Sequence, residues 1–347
     1  MSSRNSIRIL GGGLAGLTLG IALRQRGLPV TLVEAGEYPR HRVCGEFISG
    51  RGQETLARLG LEKWLSQAGA VPARTVAFYS ANRAGAPRPL PVPALCLSRY
   101  ILDAALAQHF RALGGELLTR QRFPAGEVGE GIVRATGRRP GPAEAGLSWF
   151  GLKIHARQVP LAADLELHFS PRGYVGLCRI SEDEINVCGL FRKTANDPSV
   201  GLSARELLRG LPGSPLHDRL AGAVWDNDSF CAVAGLSLRS HRAVARAELS
   251  VGDAITMIPP VTGNGMSMAF ESAELAVEPL TAWHEGRLNW HATRQAIHRT
   301  CDRQFAARLR WAAWLQRLVL TPSLQNPLIA VANYSDSFGR LAFTLTR

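Results

Sequence analysis

The apolar positions of the N-terminal segment change period twice within about thirty residues. Ile7-Arg8-Ile9-Leu10 is a short apolar run that leads into Gly11-Gly12-Gly13-Leu14-Ala15-Gly16. Leu14, Leu17, Ile21 and Leu23 then give a helical face that stops at Gly27, and Val30-Thr31-Leu32-Val33 forms a second strand ending on Glu34. Strand, glycine turn, helix and strand in that order predict a βαβ unit. Gly11, Gly13 and Gly16 fill the G-x-G-x-x-G pattern of dinucleotide-binding units of this kind. The first glycine permits a tight turn, the second lets backbone approach a pyrophosphate, and the third lets helix pack on strand. The helix start at Leu14 and Ala15 then aims free N–H groups at the phosphates. Glu34 stands where a ribose hydroxyl pair is bound.

The rest of the chain alternates between the same two periods. Ala35 to Ser49 is a polar loop broken by Pro39 and Gly45, and its Arg42, Cys44 and Gly45 are expected to run back over the cofactor. A helix is predicted from Gln53 to Leu65, a strand over Thr75–Tyr79, and an exposed connection over the proline-rich Pro87–Pro93. Ser98 is an N-cap for a helix with Ile101, Leu102, Ala105, Leu106 and Phe110 buried, ended by Gly114-Gly115. Gly131–Ala135 is another strand, stopping at Thr136-Gly137-Arg138-Arg139-Pro140. In the middle, Gly151–Ala156, Asp164–Phe169, Gly173–Ile180 and Glu184–Cys188 read as an antiparallel meander inserted into an α/β domain. A helix over Ser203–Leu208, a buried strand over Leu249–Asp253 and a helix from Met266 to Glu278, ahead of Pro279, follow. The last helix carries Phe305, Leu309, Ala312, Leu315 and Val319 as a stripe, with Arg303, Arg308, Arg310 and Arg317 outside it.

Composition narrows the function classes. The chain has 347 residues and a formal charge of +12, and its only lysines are Lys63, Lys153 and Lys193. The arginines are scattered, with no dense basic run and no zinc-finger or RNA-binding signature, which excludes nucleic acid as a partner. Cys44, Cys96, Cys178, Cys188, Cys231 and Cys301 have neither metal-knuckle nor disulfide-framework spacing. His155, His168 and His241 share no ligand spacing, so no metal is implied. No stretch reaches the roughly 18 apolar residues of a spanning helix, and no cleavage pattern follows the start. The cytoplasm is the expected compartment.

Four segments together resemble the FAD-dependent oxidoreductases that include para-hydroxybenzoate hydroxylase and the geranylgeranyl reductases. They are the glycine fingerprint; Arg99-x-x-Leu102-x-x-x-Leu106; Ala135-Thr136-Gly137; and Gly252-Asp253 followed by Pro260-x-Thr262-Gly263-x-Gly265. The resemblance covers roughly residues 6–285. The run Pro260 to Ser272 and the loop Val43-Cys44-Gly45 are similar to the geranylgeranyl reductase branch. It implies an α/β fold with a Rossmann-like FAD-binding domain (1–72, 96–140 and 232–285), an inserted antiparallel substrate sheet (73–95 and 141–231) and a C-terminal helical segment (286–347). It also implies FAD, with Asp253 on the ribityl chain, Arg99 and Gly137 near the cofactor, and the Gly263-Asn264-Gly265-Met266 backbone near the isoalloxazine.

With one fingerprint only, a reducing NAD(P)H is expected to bind transiently. Cys44 is the candidate proton donor beside the flavin, with core packing as the alternative, and Tyr174 is the candidate lining residue of the substrate cavity. Three readings follow: a reductase of a carbon–carbon double bond in a lipophilic, isoprenoid or polyketide-like substrate; an NAD(P)H-dependent monooxygenase of an aromatic or polyketide compound; or a non-catalytic flavin-binding or membrane-docking protein. Arginines around Trp311 and Trp314 make the C-terminal segment a candidate for peripheral contact with the inner face of a membrane. The pattern leaves the oligomeric state open.

Overall fold

The computed structural model describes residues 6–80, 83, 85–123, 129–138, 147–193, 202–335 and 343–345. The Arg139-Pro140 end of one predicted turn lies outside them. In chain order the elements are β1 (Ile7–Leu10), α1 (Leu14–Gln25), β2 (Val30–Val33), β3 (Phe47–Ile48), α2 (Arg51–Arg58) and α3 (Glu62–Gln67). Next come β4 (Val71–Tyr79), β5 (Arg88–Cys96), α4 (Arg99–Ala112), β6 (Glu116–Leu118) and β7 (Ile132–Arg134). The middle holds β8 (Ser148–Arg157), β9 (Leu165–Ser170), β10 (Gly173–Arg179), β11 (Ile185–Lys193), α5 (Ala204–Arg209), α6 (Pro215–Arg219) and β12 (Val224–Leu236). The chain closes with α7 (Gly265–His284), α8 (Trp290–Val319) and α9 (Pro322–Tyr334).

Two sheets divide these strands. A parallel sheet has the order β6-β2-β1-β7, and its strands are nearly all apolar because helices cover it. Leu17, Ile21, Leu106, Phe110, Phe270, Leu280, Ile297 and Phe305 bring α1, α4, α7 and α8 into one core against it. An eight-stranded sheet has the order β12-β8-β11-β10-β9-β4-β5-β3. All its pairs are antiparallel except β4 with β9, where Val76 lies beside Leu165 and Tyr79 beside His168. One face packs Leu152, Ile154, Val187 and Phe191 on Leu208 and Leu216 of α5 and α6. The other, inner face turns toward the parallel sheet's loops and the C-terminal helices.

Four predicted elements are corrected. The helix over Gln53–Leu65 is two helices, α2 and α3, broken where Gly60 takes φ +70°. The proline-rich connection is strand β5, paired with β4. Pro89, Pro91 and Pro93 turn their missing donors to one edge, where the Pro93 carbonyl accepts from Gln53 Nε2 (2.6 Å) and, among the described residues, no strand flanks the prolines. Leu249–Asp253 contributes only a bridge of Ser250 to Arg134 before a 3₁₀ turn over Gly252–Ala254. Helix α7 continues through Pro279 to His284, because burial between α1 and α8 offsets the lost hydrogen bond. A fifth correction concerns Arg308. It is buried rather than outside the stripe, paired through two bonds of 2.6 and 3.0 Å with the buried Glu271 of α7.

Candidate functional site

The fingerprint glycines occupy three different environments. Gly11 has φ +107°, and a Cβ there would lie 2.4 Å from the Ala135 carbonyl oxygen, so turn and close packing both demand glycine. A Cβ on Gly16 would lie 1.9 Å from the Gly11 oxygen, while one on Gly13 would meet nothing within 4 Å. The backbone at Gly13 therefore borders open space. The first bond of α1 runs from Leu17 N to Gly13 O (2.9 Å), which leaves the N–H groups of Leu14, Ala15 and Gly16 without intrahelical partners.

Glu34 closes this loop from the next strand. Its carboxylate accepts from Gly12 N (2.7 Å) and Gly36 N (2.8 Å) and pairs with Arg40 (2.6 Å). Burial opposes its ionisation, but those two N–H groups and Arg40 outweigh it and hold the carboxyl below its ordinary value. Tyr38 donates its hydroxyl to the Gly12 carbonyl at 2.5 Å. Arg42 reaches Asp103 (3.1 Å) and stands 3.8 Å from Glu34, so this loop arginine is bound into the site rather than solvated.

Asp103 in turn holds Arg99, the first residue of α4, through bonds of 2.7 and 2.8 Å. Burial opposes the Arg99 charge, and Asp103 restores it. The guanidinium also reaches the Cys44 thiol. Burial pushes that thiol up, more than Arg99 draws it down, so Cys44 is a neutral thiol at neutral pH. Gly45 follows it, and Glu46 donates its N–H toward Cys44 Sγ at 3.5 Å. The loop lies directly on the inner face of β8 and β11: a Cβ on Gly151 would meet Val43 at 2.8 Å, and Asn186 Nδ2 donates to the Cys44 carbonyl at 2.9 Å.

The remaining sequence-predicted residues converge on the same region from α7. Pro260 opens a 3₁₀ turn, and Gly263 ends it at φ +64°, where a Cβ would strike the Phe47 ring. Asn264 caps α7 without a side-chain bond to its amides, and the first helical bond runs from Met268 N to Asn264 O (3.0 Å). The N–H groups of Gly265, Met266 and Ser267 thus form a second helix start beside the first, since a Cβ on Gly252 would touch Ala15 at 2.8 Å. Asp253 follows Gly252. Burial pushes its carboxyl up to about 6, against the pull of Arg138 and Arg99, and among the described residues nothing donates to it. Gly137 has φ +76° with open space on its Cβ side.

Tyr174 lies on the inner face of β10, among Trp149, Phe169, Leu190, Val319, Leu320 and Ile329. It is buried, and among the described residues its hydroxyl finds no hydrogen-bond partner. Met257 and Val261 border the same cluster from the loop before α7.

Sequence reasoning missed a buried charge cluster next to Cys44. Glu46, at φ +60°, accepts from Arg99 N (2.9 Å) and His155 Nε2 (2.7 Å), and lies 3.6 Å from Lys153 Nζ. Lys153 is fully buried and bonds His41 Nδ1 at 3.0 Å, while His41 stacks on Tyr100. Burial works against the His155 imidazolium, yet Glu184 and Glu46 outweigh it and raise its pKa. The signal was Lys153 and His155 at i and i+2 in a strand whose alternate residues are apolar, which puts both charges on one buried face. His155, Glu184 and Asp226 also bring ligand-type atoms within 4.8 Å of one another, a grouping across strands that linear spacing does not reveal.

Residues 4–143 match the family described as FAD binding domain. A menaquinone reductase of Mycolicibacterium smegmatis is 32% identical over 65 residues, 19% of this chain and 16% of that protein's length. The Pseudomonas aeruginosa protein PqsL, in complex with 2-aminobenzoylacetate, superposes with a TM-score of 0.71 at 18% identity, over 94% of this chain and all of that one. The flavin-dependent brominase Bmp2 gives 0.70 at 18% identity over 98% of both chains. At that identity the likeness is one of fold.

The residues present fit FAD. Open space at Gly13, two uncapped helix starts, an acid at the end of β2 and the undonated Asp253 carboxylate match, in order, a pyrophosphate, its adjoining ring system, a ribose and a hydroxylated chain. Among the described residues no helix is long and apolar enough to cross a membrane.

Proposed function

We propose that the chain is an FAD-dependent reductase that saturates a carbon–carbon double bond of a lipophilic substrate. The observation that carries this reading is the neutral Cys44 thiol, held against Arg99 between the dinucleotide loop and the inner face of the large sheet. FAD, when bound, supplies a hydride. Leu14, Ala15 and Gly16 N–H groups, with those at the start of α7, would receive its anionic and polar parts, and Asp253 would accept from its hydroxylated chain. Hydride addition to one alkene carbon requires a proton on the next. Cys44 Sγ donates it, and the Arg99 guanidinium stabilises the thiolate left behind. The apolar walls around Tyr174 exclude water, and the Tyr174 hydroxyl is free to donate to one polar atom of the substrate. The name of the mycobacterial relative supports a reductase acting on a prenylated quinone class. NAD(P)H is proposed as the transient reductant, since one fingerprint serves FAD.

The second reading, an NAD(P)H-dependent monooxygenase of an aromatic compound, draws on the whole-chain likeness to PqsL and the brominase. One experiment separates them. Dithionite-reduced protein is mixed anaerobically with a menaquinone, and the flavin absorbance is followed. Reoxidation without oxygen, with a product that stays two hydrogens heavier after its quinol ring has been reoxidised to the quinone in air, supports the reductase. Reoxidation that waits for oxygen and yields a hydroxylated product of an aromatic substrate replaces it with the monooxygenase.

A further inference from the structure

Helix α8 has a second face that the core does not use. Arg299, Arg303, Arg310, Trp314 and Arg317 recur at spacings of three, four and seven along its exposed side, with Trp311 adjoining. Trp311 and Trp314 are 39% and 49% exposed, a large solvated area for the residue type that carries most apolar surface. Among the described residues none of these four arginines has a carboxylate partner. The only acid in α8, Asp302, is turned inward, where its oxygens accept from Ala243 N (2.5 Å) and Val244 N (3.2 Å). The following helix, α9, carries no charged residue and exposes Leu324 and Val331.

We infer that the exposed face of α8 and α9 docks on an anionic lipid bilayer. Unpaired arginines beside an exposed tryptophan pair combine the two attractions an interfacial helix uses: charge toward lipid headgroups and ring insertion at their level. The chain's charge of +12 acts in the same direction. The opposite side of the same helices is continuous with the substrate region. Leu315, Val319, Leu320 and Ile329 pack around Tyr174 and Phe169. A surface resting on Trp311, Trp314, Leu324 and Val331 therefore lies one helix thickness from the apolar walls, and a lipid-soluble substrate has a short way from bilayer to site. The inference draws on the lipophilic-substrate reading only for the purpose of docking; its test reads binding, not turnover, so either can fail alone.

The test is flotation of the full-length FAD-loaded protein with vesicles of phosphatidylcholine, with or without phosphatidylglycerol. The wild type is expected to float with the phosphatidylglycerol vesicles at low salt, to stay behind with pure phosphatidylcholine, and to be released by high salt. Arg310→Ala/Arg317→Ala should lower partitioning about 25-fold, at about fivefold per arginine. Trp311→Ala/Trp314→Ala should lower it at least as far, and both variants should keep the wild-type melting temperature. Failure of the wild type to float at low salt overturns the inference, as does equal flotation of both variants. Sedimentation gives a third route to rejection: a wild-type dimer that falls apart in the tryptophan variant, with no vesicle binding, assigns the face to a second copy of the chain.

Discussion

Gly11, Gly13 and Gly16 share one motif but are held there by different forces. Gly16→Ala puts a methyl 1.9 Å from the Gly11 oxygen and should lower stability by about 1–3 kcal/mol, read as a drop in urea midpoint with or without FAD. A Cβ at Gly13 has no protein atom within 4 Å among the described residues, so with Gly13→Val the ligand-free protein should melt as the wild type does while failing to retain yellow colour through gel filtration. Equal destabilisation of both variants would remove the distinction. Cys44→Ser keeps size and hydrogen-bonding capacity but replaces the thiol with a far weaker acid. Turnover should fall roughly 10²-fold, the lower range for loss of a general acid, with the flavin spectrum and its reduction by donor unchanged. Wild-type reoxidation with substrate in this variant assigns Cys44 to packing.

Among elements, α7 and α8 are joined by the Arg308–Glu271 pair, one bidentate bridge between two buried side chains. Arg308→Ala strands a carboxylate in the core and should cost about 3–5 kcal/mol. Replacing both partners, Arg308→Met with Glu271→Leu, should return most of that stability, measured by chemical denaturation. The same pair shows where sequence reading stops. A stripe of Phe305, Leu309, Ala312 and Val319 is legible because period alone fixes the buried side of a helix. That Arg308 belongs to that side depends on a glutamate 37 residues away, which no local pattern contains. The β1–α1–β2 unit was legible for the converse reason: its glycines, apolar runs and acid are all local. Proline misled twice. It read as a breaker in β5 and α7, although in β5 the missing donors face an open edge and in α7 the core outweighs the lost bond. The glycine turn and the acid that closes it were therefore readable, while the Glu46–Lys153–His155 cluster, assembled from a loop and a distant strand, was not.

For the whole molecule, two buried histidines set opposite limits of pH. His155 is raised by Glu184 and Glu46 against its burial, so its contribution is complete below an unfolded value of about 6.5 and fades as pH rises through the folded one. Burial draws His298 down to about 4, and its Nε2 accepts from Ser250 N. There the unfolded chain binds the extra proton, so stability falls as pH drops from about 6.5 toward 4. Asp253, pushed up to about 6, works against the His298 limb in the same window, so the urea midpoint of each variant is read against the wild type at the same pH. His155→Gln should flatten only the alkaline limb and His298→Gln only the acid one; a single limb abolished by both variants would refute the assignment. Finally, the parallel pairing of β4 with β9 governs the order of assembly. Val76 must wait for Leu165, nearly ninety residues later, and β7 must wait for Ser250. The large sheet is not complete until β12 has been made, and the β4–β9 pairing is entropically remote, which favours slow maturation. During that wait one flank of β4 stands bare, a sticky template in a half-made protein. The prolines of β5 guard the neighbouring flank, so the hazard in a crowded cell is confined to a single, temporary side.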